Sequence, residues 1–228
     1  SREKNIFMFY DWLPGGWGGR SDRDGCNVTT ACFGTGLQTQ PSEGQERLCP
    51  VMADHHQILT DSPGPGKYRG GAGVIKTSTI GAADETIISY ICDRERSVVW
   101  GIKGGLPSMP HGLWIRRKDR DEKEWFGSLF SDEPIGSGDV FSRSTAGGGG
   151  LGDPLERDPA AVMRDVEDDY VSLERAKTDY GVVLRTIDHD LAQYEVDVEA
   201  TKSARAEIAA ARAGWLDEEP EVAAGRYQ

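Results

Sequence analysis

Four consecutive glycines, Gly147–Gly150, running into Leu151-Gly152-Asp153-Pro154, constrain this chain more than any other stretch. Residues without a Cβ lose a great deal of backbone entropy when they are ordered. An ordered run of them must be compensated by tight packing against another chain, or must lead an anion into a helix N-terminus. Asp153, Glu156 and Asp158 crowd that end with negative charge, so packing is the reading adopted here. Two further glycine clusters lie at residues 15–25 and 64–73, and most of the 29 glycines and 11 prolines precede residue 150. That density excludes long helices from the first two thirds of the chain. It favours short strands joined by turns.

The strands can be placed by composition. Asn5–Tyr10 reads as a buried strand and Gly73–Ile80 as another. Thr86–Cys92, rich in β-branched and aromatic residues, is a third. Leu113–Arg117 and Glu124–Leu129 flank a charged patch as the arms of a hairpin, and Asp139–Ser144 closes the series. After residue 153 the period changes. Asp158-Pro159 is an N-cap followed by proline at the first helical position. Val162, Val166 and Tyr170 then recur on one helical face. Ser172 caps a second helix that runs through Leu173, Ala176 and Tyr180 to a stop at Gly181. A third helix is predicted from about Asp197 to Arg212, with Ala200, Ala204, Ile208 and Ala211 on one shallow side, expected to lie against a larger surface. The stretch from Asp217 lacks a pattern. The fold class is α+β: a glycine-rich β region over residues 1–152, then an acidic helical tail over residues 153–228, packed on it or on a partner subunit.

Charge divides along the same line. Residues 1–152 hold 17 basic and 19 acidic side chains and residues 153–228 hold 9 and 19, so most of the net charge of −12 sits in the tail. An acidic chain of this kind argues against nucleic acid, which requires clustered lysine and arginine. The one basic run, Arg116-Arg117-Lys118-Asp119-Arg120, is followed by Asp121-Glu122 and reads as a solvated hairpin tip. No stretch has the roughly 20 apolar residues that span a bilayer, and no signal segment opens the sequence. The cysteines at 26, 32, 49 and 92 form no CxxC pair, as expected for reduced thiols in a cytoplasmic protein.

Three places can carry chemistry. The loop from Gly15 to Gly25 sets Arg20, Asp22, Arg23 and Asp24 beside a backbone that allows close approach. Its arginines and N–H groups suit a phosphate or carboxylate, and a salt-bridged loop is the structural alternative. It is neither a P-loop nor a dinucleotide fingerprint, because no Gly-Lys-Ser/Thr and no strand–helix frame accompany it. Cys26 follows this loop, where positive charge favours a thiolate. Asp54-His55-His56 offers two imidazoles, but neighbours in a strand point to opposite faces and cannot easily share a metal. His111 and His189 stand alone in the sequence. No Ser–His–Asp or Cys–His arrangement can be read from spacing, and with no zinc spacing among the cysteines no metal is assigned to this chain.

The order of the glycine motifs is more specific than their composition. Residues 147–184, GGGGLGDPLERDPAAVMRDVEDDYVSLERAKTDYGVVL, resemble the C-terminal signature of the large subunits of the hydantoinase B/oxoprolinase family, which includes the acetone and acetophenone carboxylases. Gly15-Gly16-Trp17-Gly18-Gly19-Arg20 with Asp24-Gly25 is similar to that family's GGxGGRPxxDG segment, with Ser21 where proline is frequent. Residues 61–74, DSPGPGKYRGGAGV, are similar to its DSGGPGKxRGGxGV run. The resemblance implies one portion of a multi-subunit enzyme that uses ATP either to carboxylate a ketone or to open a cyclic amide. The implied partners are a hydantoinase A-like subunit, with which nucleotide binding is associated, and the remainder of a hydantoinase B-like subunit. It further implies that ATP and a divalent metal are bound elsewhere in the complex, that no cofactor is bound by this chain, and that no catalytic residue carries over to it. The carboxylase branch is the first reading. A purely structural subunit is the alternative of different class.

Overall fold

The computed structural model describes residues 6–30, 40–83 and 85–213. In chain order the elements are α1 (Ser42–Leu48), β1 (Val51–Ile58), β2 (Val74–Ile80), β3 (Thr86–Ile91), β4 (Leu113–Arg116), β5 (Lys123–Gly127), β6 (Leu129–Ile135), β7 (Val140–Ser144), a 3-10 turn at Pro154–Glu156, α2 (Pro159–Glu167), α3 (Leu173–Tyr180), β8 (Leu184–Asp188), β9 (Gln193–Val196) and α4 (Val198–Ala213). The fold is α+β. Five strands form an antiparallel sheet in the order β1-β2-β7-β4-β5, while β3 pairs with β6 and β8 with β9.

Alternation explains the large sheet. In β2, Val74, Lys76, Ser78 and Ile80 are buried and the residues between them are only half covered. In β4, Leu113 and Ile115 face the core while Trp114 and Arg116 face the other way, as a period of two demands. The core side has an apolar part built on Val51, Ile80, Leu113, Ile115, Ile135 and Phe141, with the β3–β6 ladder laid against it through Ile88, Tyr90 and Phe130, and it also buries Lys76, Ser78 and Arg143. A second cluster, Val162, Val166, Val171, Ala176, Tyr180 and Val182, lies among the elements after residue 153.

Residues 6–10 do not form the expected strand. Phe7 and Phe9 pack on the core, whereas Ile6, Met8 and Tyr10 are exposed. The reason follows from Asp11, whose Oδ2 accepts from Lys76 Nζ on β2 at 2.8 Å and pairs with Arg143 on β7. These bonds draw the segment across the face of the sheet, where no ladder can form. Strands β2, β3, β4, β5 and β7 lie where composition placed them. Four strands escaped it: β1, β6 and, in the tail, β8 and β9. β1 is an edge strand with a bulge between Ala53 and His55. β6 carries Asp132, Glu133 and Pro134, residues suited only to an edge, and indeed pairs with β3 alone.

The helix boundaries follow their caps. Asp158 accepts from Ala160 N–H and Pro159 opens α2; Ser172 accepts from Arg175 N–H, and Gly181 ends α3 in the left-handed region at φ 61°. Tyr170 lies beyond the end of α2, because the chain turns at Asp168 and Asp169, the latter with φ 59°. The tail is not wholly helical, since β8 and β9 separate α3 from α4. On α4, Ala200, Ala204 and Ile208 are partly covered but Ala211 is exposed. Polar bonds dock this helix more than alanine does. Arg205 donates to the carbonyls of Tyr180 at 3.1 Å and Arg157 at 2.6 Å, and Arg212 reaches Asp153 at 2.9 Å. The stretch from Asp217 lies outside the described residues, as does Cys32. Among the described residues no helix is long and apolar enough to cross a membrane.

Candidate functional site

The glycine clusters meet. Gly16 N–H donates to Ala146 O, Gly19 N–H to Gly149 O, Gly64 N–H to Gly148 O and Gly148 N–H to Gly71 O, at 2.8 to 3.0 Å. Three segments far apart in sequence thus run backbone against backbone. Glycine is required here for room rather than for dihedral freedom. A Cβ on Gly148 would stand 1.9 Å from the Trp17 carbonyl oxygen, and one on Gly70 would stand 1.9 Å from Gly148 O. The entropy lost in ordering these residues is offset by a dense set of buried backbone hydrogen bonds. Gly147–Gly152 thus pack within this chain and not, as expected, against another one, because residues 16–19 and 62–71 supply the opposing backbone.

This stack carries the loop of residues 15–25. Its stem is closed by Trp17 N–H to Cys26 O at 3.0 Å and its tip by Arg20 N–H to Arg23 O at 2.9 Å. The N–H groups of Gly16, Trp17, Gly19, Arg20 and Gly25 all donate to backbone carbonyls. The four candidate side chains have different surroundings. Arg20 stands 6.0 Å over the Trp17 ring and 3.4 Å from Cys26 Sγ. Arg23 and Asp22 form an exposed pair at 2.7 Å. Asp24 is committed inward: Arg157 donates to both its oxygens at 2.7 Å, and Arg69 N–H donates to Oδ1 at 2.7 Å. Burial alone would raise the Asp24 pKa, but the Arg157 bonds and charge outweigh it and hold the carboxyl below its ordinary value.

Asp24 is the outer end of a buried chain of charges. Asp165 on α2 accepts from Arg69 Nε at 3.1 Å and from Arg157 Nε at 3.0 Å. Arg69 also lies 4.6 Å under the Tyr170 ring. Two arginines and two aspartates thereby fasten the second and first glycine segments to the helical tail. A groove of about 420 Å³ opens beside them, lined by Arg23, Asp24, Lys67, Arg157, Glu156 and Asp158 among others. It contains Arg23 and Asp24 of the candidate residues, while Arg20 and Asp22 lie outside its lining. Lys67 and Glu156 bridge it at 3.1 Å.

The histidine pair is divided by the sheet. His55 faces Thr77 and a cavity on the open side, and His56 stands opposite Lys76. Partial burial, and after it the charge of Lys76, lowers the His56 pKa. Among the described residues no group of three or more histidine, cysteine or carboxylate side chains is placed to hold a metal.

Sequence spacing missed a Cys–His contact. Cys92 Sγ lies 2.9 Å from His111 Nε2, 19 residues away, because β3 ends where the chain re-enters at β4. Burial pushes the Cys92 thiol up and the His111 imidazole down. Both groups are thus neutral near pH 7, so the pair ties the end of β3 to the segment before β4 rather than activating a nucleophile. The other network missed, Asp11–Lys76–Arg143, has Lys76 only 1% exposed. A lysine in a β2 pattern of alternating burial was the sole signal for it.

Comparison with known proteins agrees with this arrangement. The sequence profile of the hydantoinase B/oxoprolinase family matches residues 1–154. A putative D-/L-hydantoinase B-type subunit from Pseudomonas sp. (strain NS671) is 28% identical over 202 residues, covering 89% of this chain and 33% of that protein. The acetone carboxylase alpha subunit of Xanthobacter autotrophicus is 26% identical over 230 residues, covering 87% and 29%. A nucleotide-free acetone carboxylase structure superposes with a TM-score of 0.78 at 24% identity, over 91% of this chain and 31% of that one. The chain spans about a third of the length of the relatives it matches. With its glycine segments stacked together and its profile matched over residues 1–154, the chain belongs to the hydantoinase B/oxoprolinase family.

Proposed function

We propose that the chain supplies the C-terminal portion of a hydantoinase B-like subunit in a multi-subunit, ATP-dependent enzyme of the cytoplasm, and that its task there is architectural. The observation that carries this reading is the inward commitment of the glycine-loop polar groups. Asp24, Arg69 and Arg157 satisfy one another, and the N–H groups of Gly16, Trp17, Gly19, Arg20 and Gly25 are bonded to carbonyls. Arg20 and Arg23 are the loop's remaining outward cations, available to a ligand or to a neighbouring subunit. A hydantoinase A-like subunit and the remainder of the B-like subunit are the proposed partners. ATP and a divalent metal are proposed to bind in those parts.

Ketone carboxylation of the acetone or acetophenone type is the first reading of the reaction, in keeping with the similarity to an acetone carboxylase alpha subunit. The similarity to a hydantoinase B-type subunit favours hydrolysis of a cyclic amide as the second. Assaying the assembled complex for ATP hydrolysis that depends on acetone plus bicarbonate, against hydantoin or a cyclic lactam, decides between them. Within that complex, Asp24→Ala is expected to lower the yield of assembled enzyme. Arg20→Ala is expected to leave yield and turnover per complex nearly unchanged. Loss of turnover in a fully assembled Arg20→Ala complex would give this loop a catalytic role and overturn the architectural reading.

A further inference from the structure

The side of the five-stranded sheet away from the core is open, and a cavity of about 220 Å³ is sunk in it. Its walls come from all five strands: His55, Thr77, Ser142, Trp114, Arg116 and Lys123. Arg116 and Lys123 are register partners across β4 and β5. Side chains so placed stand roughly 5 Å apart at Cβ, where like charges repel. Among the described residues no carboxylate pairs with either. The nearby acids are committed elsewhere: Glu124 bonds Arg117 and Arg120, and Glu133 and Asp139 bond Arg117. Arg116 is thus not part of a solvated tip. It is one of two unneutralised cations facing a concavity, in a chain whose net charge is −12.

The adjoining row completes the walls. Trp114 lies opposite Trp125, with ring centroids 4.6 Å apart. Ser142 pairs in register with Trp114, and Thr77 with Ser142. The Thr77 and Ser142 hydroxyl oxygens are 2.7 Å apart. Two hydroxyls carry two protons, so one donates to its neighbour and the other remains for a ligand. The volume lies below the range of about 300–1,000 Å³ typical of drug-sized ligands, which leaves room for a group of few atoms.

We propose that this cavity binds a small oxyanion, a carboxylate or a phosphate group, clamped between Arg116 and Lys123 and hydrogen-bonded by the Thr77–Ser142 hydroxyls. The anion relieves the repulsion between the two cations, and the indole of Trp114 shields the contact from water. The proposal is independent of the reaction the complex performs.

The test is titration of the full chain with inorganic phosphate and, separately, with acetate, against sodium chloride at matched ionic strength, read by calorimetry and by indole N–H resonances. Saturable binding is expected, with the Trp114 and Trp125 indole signals moving. Stronger binding of phosphate identifies a phosphate-type ligand, and stronger binding of acetate a carboxylate. Arg116→Gln and Lys123→Gln should each weaken binding by about tenfold or more, the scale of a lost charge-assisted hydrogen bond. Arg116→Lys should retain most of it, and Arg120→Gln at the hairpin tip should change nothing. Circular dichroism of each variant verifies that it folds. No saturable binding, or equal weakening by Arg120→Gln and Lys123→Gln, overturns the site.

Discussion

Replacing Gly148 with alanine adds one methyl group and should nearly unfold the chain. The new Cβ would stand 1.9 Å from the Trp17 carbonyl oxygen and 2.1 Å from its carbon. Neither segment can retreat freely. Gly148 donates to Gly71 O at 2.9 Å and accepts from Gly64 N–H at 2.8 Å, while Trp17 O accepts from Gly71 N–H at 2.7 Å. Relieving the clash breaks at least two of these three bonds. Each leaves a buried group unsatisfied at about 1–3 kcal/mol, so a loss of about 2–6 kcal/mol is expected. That is large against a typical domain stability of about 5–15 kcal/mol. Gly44 in α1 is the control of opposite sign. Among the described residues its added Cβ would meet only Gln40 Nε2 at 3.8 Å, and alanine is favoured over glycine inside a helix by about 0.5–1 kcal/mol. Urea unfolding followed by circular dichroism reads both. A Gly148→Ala loss of less than about 1 kcal/mol would refute the argument that close backbone approach requires these glycines.

Other perturbations have defined outcomes. Asp165→Ala leaves Arg69 and Arg157 buried without their shared carboxylate and should cost about 3–5 kcal/mol in urea unfolding, whereas Asp22→Ala on the exposed loop should leave the unfolding midpoint unchanged. Ser172→Ala removes the cap on α3 and should cost about 1 kcal/mol by the same measurement. Asp24 is held below its ordinary 3.8 in the folded chain, so its contribution is complete above that value and lost as pH falls through the lower folded value. Asp165 is shifted upward, first by burial, and acts with opposite sign. The comparison must therefore be a difference. The stability gap between wild type and Asp24→Asn should be constant from pH 7 to about pH 5 and close below about pH 4; a gap that widens in acid would contradict the assignment.

Much of the fold is legible where local chemistry decides. The Asp158-Pro159 start, the Ser172 cap and the Gly181 stop are each set by a few adjacent residues and appear as expected. So does the hairpin of β4 and β5, along which burial alternates. Residues 6–10 depart from their strand-like composition because their course is fixed by Asp11 reaching Lys76 and Arg143, 65 and 132 residues away. β6 is hidden by Pro134 and two acids that only an edge tolerates. The role of the glycines as packing surface is legible, but not their partners, since backbone-to-backbone contact leaves no side-chain pattern. The Cys92–His111 contact and the Arg69–Asp165–Arg157 chain are likewise tertiary, and no spacing along the sequence announces them.

In the proposed role the chain is a scaffold that turns nothing over by itself. The direct measurement is ATP-dependent turnover of ketone and of cyclic amide by the purified chain, first alone and then with a hydantoinase A-like subunit and the remainder of the B-like subunit. No turnover is expected from the chain alone, and turnover is expected from the assembly. A monomeric chain that catalyses either reaction unaided would contradict that role.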